Sequence, residues 1–188
     1  MKGMSKVMVA LAAGVMIGWF TNAQIVKGQG KQAQTPVLGG LSHVSFAVKD
    51  AEKAGQAFAA VFGVTEVPKT MDFKDIKWGP TFPGRTMNVR RAGMTINGVS
   101  FEILQPLPPN DSPWDDFMKA TGGEGLHHLG ISVPDVAKAR DYLVSKGGVQ
   151  TQQFEQGGKM FAAYIDMHKA GLPITFEVTP GAPPAAAK

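Results

Sequence analysis

Residues 41–64 read LSHVSFAVKDAEKAGQAFAAVFGV, and residues 126–149 read LHHLGISVPDVAKARDYLVSKGGV. The two stretches align without a gap, at a constant offset of 85 residues. Leu, His, Val, Asp, Lys, Ala and a closing Gly-Val recur at equivalent positions, which is more agreement than chance provides. Self-similarity of this kind indicates a duplicated structural unit, and it decides how the rest of the chain is interpreted.

Each copy carries the same local signals for a strand followed by a helix. Alternating apolar and polar residues predict strands over residues 41–48 and 126–133. Asp50 and Asp135 come next, and aspartate is a preferred N-cap residue. Apolar residues then recur at helical spacing until a glycine ends the pattern, so we expect one amphipathic helix in each copy.

The second part of each half is also repeated. Residues 99–106 read VSFEILQP and residues 174–180 read ITFEVTP, so a Phe-Glu pair recurs near the end of each half. Residues 85–91 and 159–166 are predicted as middle strands. Residues 65–84 have no clear pattern and are interpreted as an insertion or loop.

The predicted fold class is α+β, with two βαβββ modules that pair to form a cup-shaped mixed sheet with helices outside. Module one covers residues 41–107 and module two covers residues 126–180, within one domain of residues 39–180. Residues 24–38 are rich in Gln, Gly and Lys and are interpreted as a flexible lead-in. Residues 181–188 are interpreted as a disordered, low-complexity tail.

Strand parity predicts which polar residues share a face. Successive side chains alternate faces, and His43 and His128 lie opposite the apolar residues of their strands. Glu102 and Glu177 do the same in the Phe-Glu strands. If the halves pair by pseudo-symmetry, these four residues meet on the face that does not pack against helices. Two imidazoles and two carboxylates suit Zn, Ni, Co, Mn or Fe(II), so the sequence predicts one divalent metal ion held by His43, Glu102, His128 and Glu177.

The two other histidines do not join this set. His127 has the wrong parity for the cup and is predicted to pack or hydrogen-bond at the strand start. His168 is predicted to lie in a surface turn. Any single polar residue on a strand is most often only solvated, and it is the recurrence of His and Glu in both halves that favours ligation.

The pattern resembles the vicinal oxygen chelate (VOC) superfamily, also called the glyoxalase fold, over about residues 39–180. Residues 111–133, DSPWDDFMKATGGEGLHHLGISV, look most like methylmalonyl-CoA epimerases, and the ligand order His, Glu, His, Glu is that of glyoxalase I. The resemblance implies a metal-dependent lyase or isomerase that chelates two vicinal oxygens of a small substrate and stabilises an enolate or enediolate. A ligand glutamate, Glu177 or Glu102, would then be the catalytic base.

The same comparison shows one departure from the epimerase pattern and leaves two alternatives open. Epimerases carry an additional glutamate on a middle strand of the first half, and the alignment places Asn88 there, which argues against epimerase chemistry. Ring-cleaving dioxygenases of the superfamily use two His and one Glu for iron, so a VOC dioxygenase is one alternative. A non-catalytic protein that binds small molecules is another. The cup is complete within one chain, which is compatible with a homodimer of such chains.

Composition excludes several kinds of site and partner. The chain has 188 residues, a formal net charge of +4 and no cysteine, so disulfides and zinc-thiolate sites are absent. No Lys/Arg cluster is longer than Arg90-Arg91, which argues against a nucleic-acid partner.

The N-terminus predicts a targeting signal. Lys2 and Lys6 precede the uncharged stretch of residues 7–20, and residues 21–23 offer a small-residue cleavage site. We therefore predict a signal peptide over residues 1–23 and export to the periplasm or the medium, with no stable membrane span after cleavage. An uncleaved anchor is the alternative.

Overall fold

The repeat folds into eight strands and three α-helices within the part of the chain that the computed structural model describes, residues 37–77, 86–109 and 111–181. The predicted signal peptide, nearly all of the lead-in and all but the first residue of the tail lie outside those ranges and stay predictions. No helix in the described residues is long and apolar enough to cross a membrane.

The two modules have the same order of elements, strand–helix–three strands, and a short helix connects them. Module one consists of β1 (Leu41–Ala47), α1 (Ala51–Phe62), β2 (Met71–Lys77), β3 (Thr86–Ile96) and β4 (Val99–Leu107). Helix α2 (Pro113–Thr121) follows. Module two consists of β5 (Gly125–Val133), α3 (Val136–Ser145), β6 (Val149–Gln156), β7 (Lys159–Asp166) and β8 (Thr175–Pro180).

All eight strands form one curled mixed sheet in the order β2-β3-β4-β1-β5-β8-β7-β6. The modules meet where β1 pairs with β5 in antiparallel fashion. Within each module the first strand pairs in parallel with the last one, β1 with β4 and β5 with β8. This order puts the four predicted ligand strands side by side at the centre and confirms the predicted fold class.

Both predicted helix starts are confirmed by their caps. The Asp50 carboxylate accepts a hydrogen bond from the Lys53 backbone N–H at 2.9 Å, and Asp135 accepts one from Lys138 at 3.0 Å. Each bond satisfies one of the backbone donors that the first turn of a helix leaves free. Helix α1 ends at Gly63, whose φ of 66° is a left-handed conformation that glycine adopts without strain.

The interpretation of residues 65–84 as an insertion or loop missed β2, which forms the edge of the sheet beside β3. Its pairing with β3 shifts between Phe73 and Ile76, and Asp75 lies between them with a φ of 56°. A bulge of this kind breaks the alternation of faces, so a strand pattern is hidden in the sequence. Charged residues on a bulged edge strand also discourage pairing with another chain.

The sheet has two different faces. Helices α1 and α3 cover the outer face, where two apolar clusters are buried, one around Ile103 and one around Ile165. The opposite face is called the cup face below, and it carries His43, Ser45 and Ala47 of β1. Helix α2 lies against this face, with Trp114 buried in an apolar floor that it shares with Ala47, Met87, Val89 and Leu104.

Candidate metal centre

Four side chains from the four central strands converge on the cup face. The Nε2 atoms of His43 and His128 lie 3.0 Å apart. One ligand atom each from His43, Glu102, His128 and Glu177 lies within 4.8 Å of every other. The sheet register produces this convergence, since Gly130 of β5 is flanked by His43 on one side and by Glu177 on the other.

The two carboxylates approach the histidines unequally. Glu177 Oε2 lies 2.9 Å from His43 Nε2 and 3.2 Å from His128 Nε2. Glu102 Oε2 lies farther away, at 3.7 and 3.6 Å from the same two atoms. The histidines also differ, because His128 is fully buried whereas 17% of the His43 side chain is exposed.

The spacing of the donor atoms fits a divalent metal ion. Such an ion binds imidazole nitrogen at about 2.1 Å, so two nitrogens at right angles around it lie about 3.0 Å apart. The two Nε2 atoms have this separation. Ser45 of β1 is paired with His128 of β5, where the two modules meet. Its buried Oγ has no hydrogen-bond partner among the described residues. A hydroxyl of this kind is available to a further ligand of the site.

Hydrogen bonds at Nδ1 fix the orientation of both imidazoles. His43 Nδ1 lies 3.1 Å from Ser42 Oγ, and His128 Nδ1 lies 2.7 Å from His127 Nδ1. If each Nδ1 of His43 and His128 carries the proton, both Nε2 lone pairs point at the same place. A partner at the far nitrogen is the usual support of a metal-binding histidine.

His127 supports His128 from the side of helix α2, which lies against the cup face. Burial, and then the neighbouring His128, lower the pKa of His127 to about 3, so its ring is neutral and its Nδ1 can accept a hydrogen bond from His128 Nδ1. Its other nitrogen donates to the Pro113 carbonyl, and its ring packs edge-on against Phe117. The prediction that His127 packs or hydrogen-bonds at the strand start is confirmed, and its partner is a predicted ligand. The expectation of wrong parity was not correct, because the pairing of β5 with β1 shifts at this residue and the ring packs with Trp114 and Tyr164 on the cup-face side.

Gly130 makes room for His43. A Cβ atom at position 130 would overlap the His43 ring and crowd Ser42 Oγ. The equivalent position in module one is Ser45, where a side chain is accommodated. Glycine at 130 is therefore required by close approach and not by backbone conformation.

Glu177 is held by three groups. It accepts hydrogen bonds from both histidines, and Tyr164, directly opposite it on β7, donates a third. Burial alone would raise the pKa of Glu177, but the bonds from His128 and His43 lower it well below its ordinary range. Burial and the charge of Glu177 raise the pKa of Tyr164, so its phenol remains a donor.

Glu102 is held differently, by Arg91 of β3. Arg91 Nε donates to Glu102 Oε1 at 2.6 Å, while Oε2 faces the two histidines. Burial alone would lower the pKa of His43, but Glu177 and then Glu102 raise it overall. Each carboxylate therefore has one support of its own, a neutral phenol for Glu177 and a guanidinium for Glu102.

Asn88 has a structural role at the edge of the sheet. Its side chain accepts from the Asp75 backbone N–H and donates to the Pro108 carbonyl, so it ties β2 to the segment after β4. It lies on the opposite face of β3 from Met87 and Val89, which belong to the apolar floor of the cup. β3 contains no acidic residue, so it supplies no further carboxylate to the cup.

The sequence interpretation missed Tyr164 and did not assign Arg91 a ligand to support. The signal for both was their position on the strand next to a predicted ligand, since β3 pairs with β4 and β7 pairs with β8. His168 lies in a short 3₁₀ turn, where it contacts Asp166, and 62% of its side chain is exposed. It does not belong to the group of four candidate ligands.

A family model described as the Glyoxalase/Bleomycin resistance protein/Dioxygenase superfamily matches residues 42–164. The mitochondrial methylmalonyl-CoA epimerase of Mus musculus is 30% identical over 143 residues, which cover 69% of this chain and 71% of the mouse protein. The ethylmalonyl-CoA/methylmalonyl-CoA epimerase of Cereibacter sphaeroides is 30% identical over 111 residues, 59% of this chain and 73% of the relative.

Solved structures agree on the fold. The crystal structure of methylmalonyl-CoA epimerase from Mycobacterium tuberculosis has a TM-score of 0.53 and 20% sequence identity, and the match covers 81% of this chain and 94% of that one. Identity at this level supports the fold alone. Together with the family match and the mouse relative, it shows that the chain belongs to the glyoxalase/bleomycin resistance protein/dioxygenase superfamily, the VOC superfamily that its sequence resembles.

Proposed function

We propose that this protein is a metal-dependent VOC isomerase or lyase that acts on a small oxygenated substrate. The observation that carries the proposal is the convergence of His43, Glu102, His128 and Glu177, with donor atoms spaced as one divalent ion requires. The nitrogen and oxygen donors suit Zn, Ni, Co, Mn or Fe(II). Such an ion, when bound, supplies Lewis-acid stabilisation of the negative charge of an enolate or enediolate.

Residues of the chain would hold the ion, orient the substrate and exclude water. His128 and Glu177 are buried and hydrogen-bonded on several sides, which suits them to fix the position of the ion. Ser45 Oγ is a free donor beside them and can orient a substrate oxygen. The apolar floor formed by Leu104, Trp114 and their neighbours excludes water from one end of the site and strengthens these polar interactions.

We propose Glu102 as the base that removes the substrate proton. A base must reach the substrate, and Glu102 is the more exposed carboxylate and the one farther from the two histidine nitrogens. Glu177 is less exposed than Glu102 and accepts a hydrogen bond from Tyr164 that does not involve the ligand nitrogens, so it is the less free of the two carboxylates to move. Arg91 holds Glu102 close to the substrate space.

The named relatives act on CoA thioesters, which makes epimerisation next to a thioester carbonyl the first reaction to test here. The chemistry common to that reaction and to a glyoxalase-type isomerisation is proton transfer at a carbon beside a carbonyl. The proposal is therefore made for this reaction class, with Glu102 as the base and Glu177 as a holder of the ion.

Metal content tests the first half of the proposal. The purified protein, reconstituted with Zn, Ni, Co, Mn or Fe(II), should retain about one equivalent of at least one metal. His43→Ala and Glu177→Ala should retain little, whereas His168→Ala, which removes a histidine outside the cup, should bind like the wild type. Retention of no metal by the reconstituted wild type would overturn the proposal.

Proton exchange tests the second half. In deuterated buffer the metal-loaded protein should catalyse exchange at the carbon beside the carbonyl of methylmalonyl-CoA or of a 2-oxo or 2-hydroxy acid. Glu102→Gln should keep the metal and slow the exchange about 10²- to 10⁴-fold, the usual contribution of a general base. Metal binding without exchange of any compound would favour a non-catalytic binding protein, and oxygen consumption by the iron form would favour a dioxygenase.

A further inference from the structure

A cavity of about 410 Å³ lies on the module-one side of the cup. It adjoins the ligand group, because Arg91 bonds to Glu102 and Gly93 is the direct neighbour of Glu102 in the sheet register. Its volume is in the lower part of the range of small-molecule sites, about 300–1,000 Å³. The lining residues are Lys69, Met71, Phe73, Arg91, Gly93, Met94, Thr95 and Ser100.

The cavity exists because the two halves differ at one equivalent position. In module two Tyr164 stands opposite Glu177, and in module one Gly93 stands opposite Glu102. Tyr164 is 4% exposed, so it fills the space beside its carboxylate. A Cβ atom at Gly93 would meet only ordinary contacts, the nearest at 3.7 Å, so the space beside Glu102 is open.

The charged residues that line the cavity are all positive. Lys69 and Arg91 are cationic, and none of the lining residues is acidic. Arg91 uses Nε for Glu102, and its terminal nitrogen lies beside Gly93, inside the cavity. Lys69 is exposed and forms no ion pair with any described residue. Hydroxyls of Thr95 and Ser100 add further donors.

The charges of the whole site point to the same kind of ligand. Glu102 and Glu177 together balance the two positive charges of a divalent ion. Lys69 and Arg91 then remain as an excess of positive charge, which focuses a field that attracts anions into the cavity. Paired residues of neighbouring strands lie about 5 Å apart, so the cavity begins within two or three carbon atoms of the ligand group.

We propose that this cavity binds the terminal carboxylate of a small oxyacid whose two vicinal oxygens lie at the four-residue group. This inference rests on the proposed function and adds a substrate class to it. Lys69 is the anchoring charge and Gly93 is the position that admits the carboxylate-bearing chain. Arg91 links the two parts of the site, because it contacts both Glu102 and the cavity.

Binding of three probes to the metal-loaded full chain tests the proposal. Oxalate offers vicinal oxygens alone, 2-oxoglutarate adds a carboxylate tail, and 2-oxohexanoate has an uncharged tail in its place. The wild type should bind 2-oxoglutarate about two- to fivefold more tightly than 2-oxohexanoate, as expected for a partly exposed ion pair. Lys69→Gln should remove this preference and leave oxalate binding unchanged.

Two variants serve as controls. Lys74→Gln removes a lysine of the same charge from β2 and should leave all three affinities unchanged, because Lys74 does not line the cavity. Gly93→Leu should fill the cavity and weaken 2-oxoglutarate and 2-oxohexanoate at least fivefold while oxalate still binds.

The inference would be overturned if the wild type bound the two long probes equally well, or if Lys69→Gln kept the preference for 2-oxoglutarate. The proposed function would still stand in either case, provided that oxalate binds. Failure of oxalate to bind any metal-loaded form would count against the proposed function. In that case glutarate binding to the metal-free protein tests the cavity by itself. Binding that is weakened in Lys69→Gln would support the inference, and absence of binding would overturn it.

Discussion

The two halves of the cup contribute the same ligand types but surround them differently. In module two, His127 supports His128, and Tyr164 packs on the His128 ring at a centroid distance of 5.0 Å and bonds to Glu177. In module one, the serine beside His43 is its support, Glu102 is held by an exposed arginine, and a glycine replaces the tyrosine.

This difference shows how a duplicated unit can separate two tasks. Module two encloses its ligands on all sides, which suits a group that fixes a metal ion. Module one leaves its carboxylate beside an open, positively charged cavity, which suits a group that meets the substrate. The backbone repeat preserves the ligand set, and a few side chains around it give each half its own role.

The carboxylates should differ most in metal affinity. Glu177→Gln removes the ligand with the shorter distances to both histidines, and we expect metal affinity to fall at least about 100-fold, more than the loss of a supporting residue causes. Glu102→Gln should cost about tenfold or less. Competition with a chelator measures both values. Equal losses in the two variants would contradict the division of roles between the halves.

The cup-face glycines should also respond differently to a methyl group. Gly130→Ala places Cβ in the His43 ring, so we expect a loss of about 2 kcal/mol in the free energy of unfolding and a large loss of metal binding. Gly93→Ala meets nothing closer than 3.7 Å and should be within about 0.5 kcal/mol of the wild type. Urea titration and metal binding give the two readouts, and a neutral Gly130→Ala would show that His43 is not confined there.

The supports of the two histidines should have smaller, unequal effects. His127→Phe keeps the buried ring but removes the acceptor of His128 Nδ1, and we expect about a tenfold loss of metal affinity. Ser42→Ala should cost less, since water can replace the hydroxyl beside the partly exposed His43. Calorimetric titration compares them. Unchanged affinity in His127→Phe would mean that the contact between His127 and His128 is packing alone.

The helix caps should show no difference between the halves. Asp50→Ala and Asp135→Ala each remove one hydrogen bond to a first-turn N–H, and each should cost about 1 kcal/mol of folding free energy. Both caps are on the outer layer, so metal affinity should not change in either variant. Thermal unfolding with and without metal checks this, and a cap that affects metal affinity would show that the outer layer also differs in function.

Local patterns gave most of the fold and the ligand set. The 85-residue offset predicted the modules, the aspartates predicted the helix starts, and parity assigned His43 and Glu102 to one face. These features depend only on neighbours in the chain. Strand β2 was not predicted, because its bulge at Asp75 interrupts the alternation on which strand prediction depends.

The residues that support the candidate ligands, and the cavity beside Glu102, could not be predicted in the same way. In residues 85–91 polar residues follow each other at Arg90 and Arg91, so the sequence does not show which residue of β3 faces the cup. Its pairing with β4 decides this, placing Arg91 beside Leu104 and Asn88 on the far side. Likewise Tyr164 gains its role only through the register that puts it opposite Glu177.

The sequence by itself determined the repeat, the two βαβββ modules and the four residues that face the same way, because strand and helix periods are properties of a few consecutive residues. Only the tertiary structure decided the 3.0 Å spacing of the two imidazole nitrogens, the different supports of the two glutamates and the open space beside Gly93. These depend on hydrogen-bond register between strands far apart in the chain, where a shift of one residue would turn each side chain to the other face.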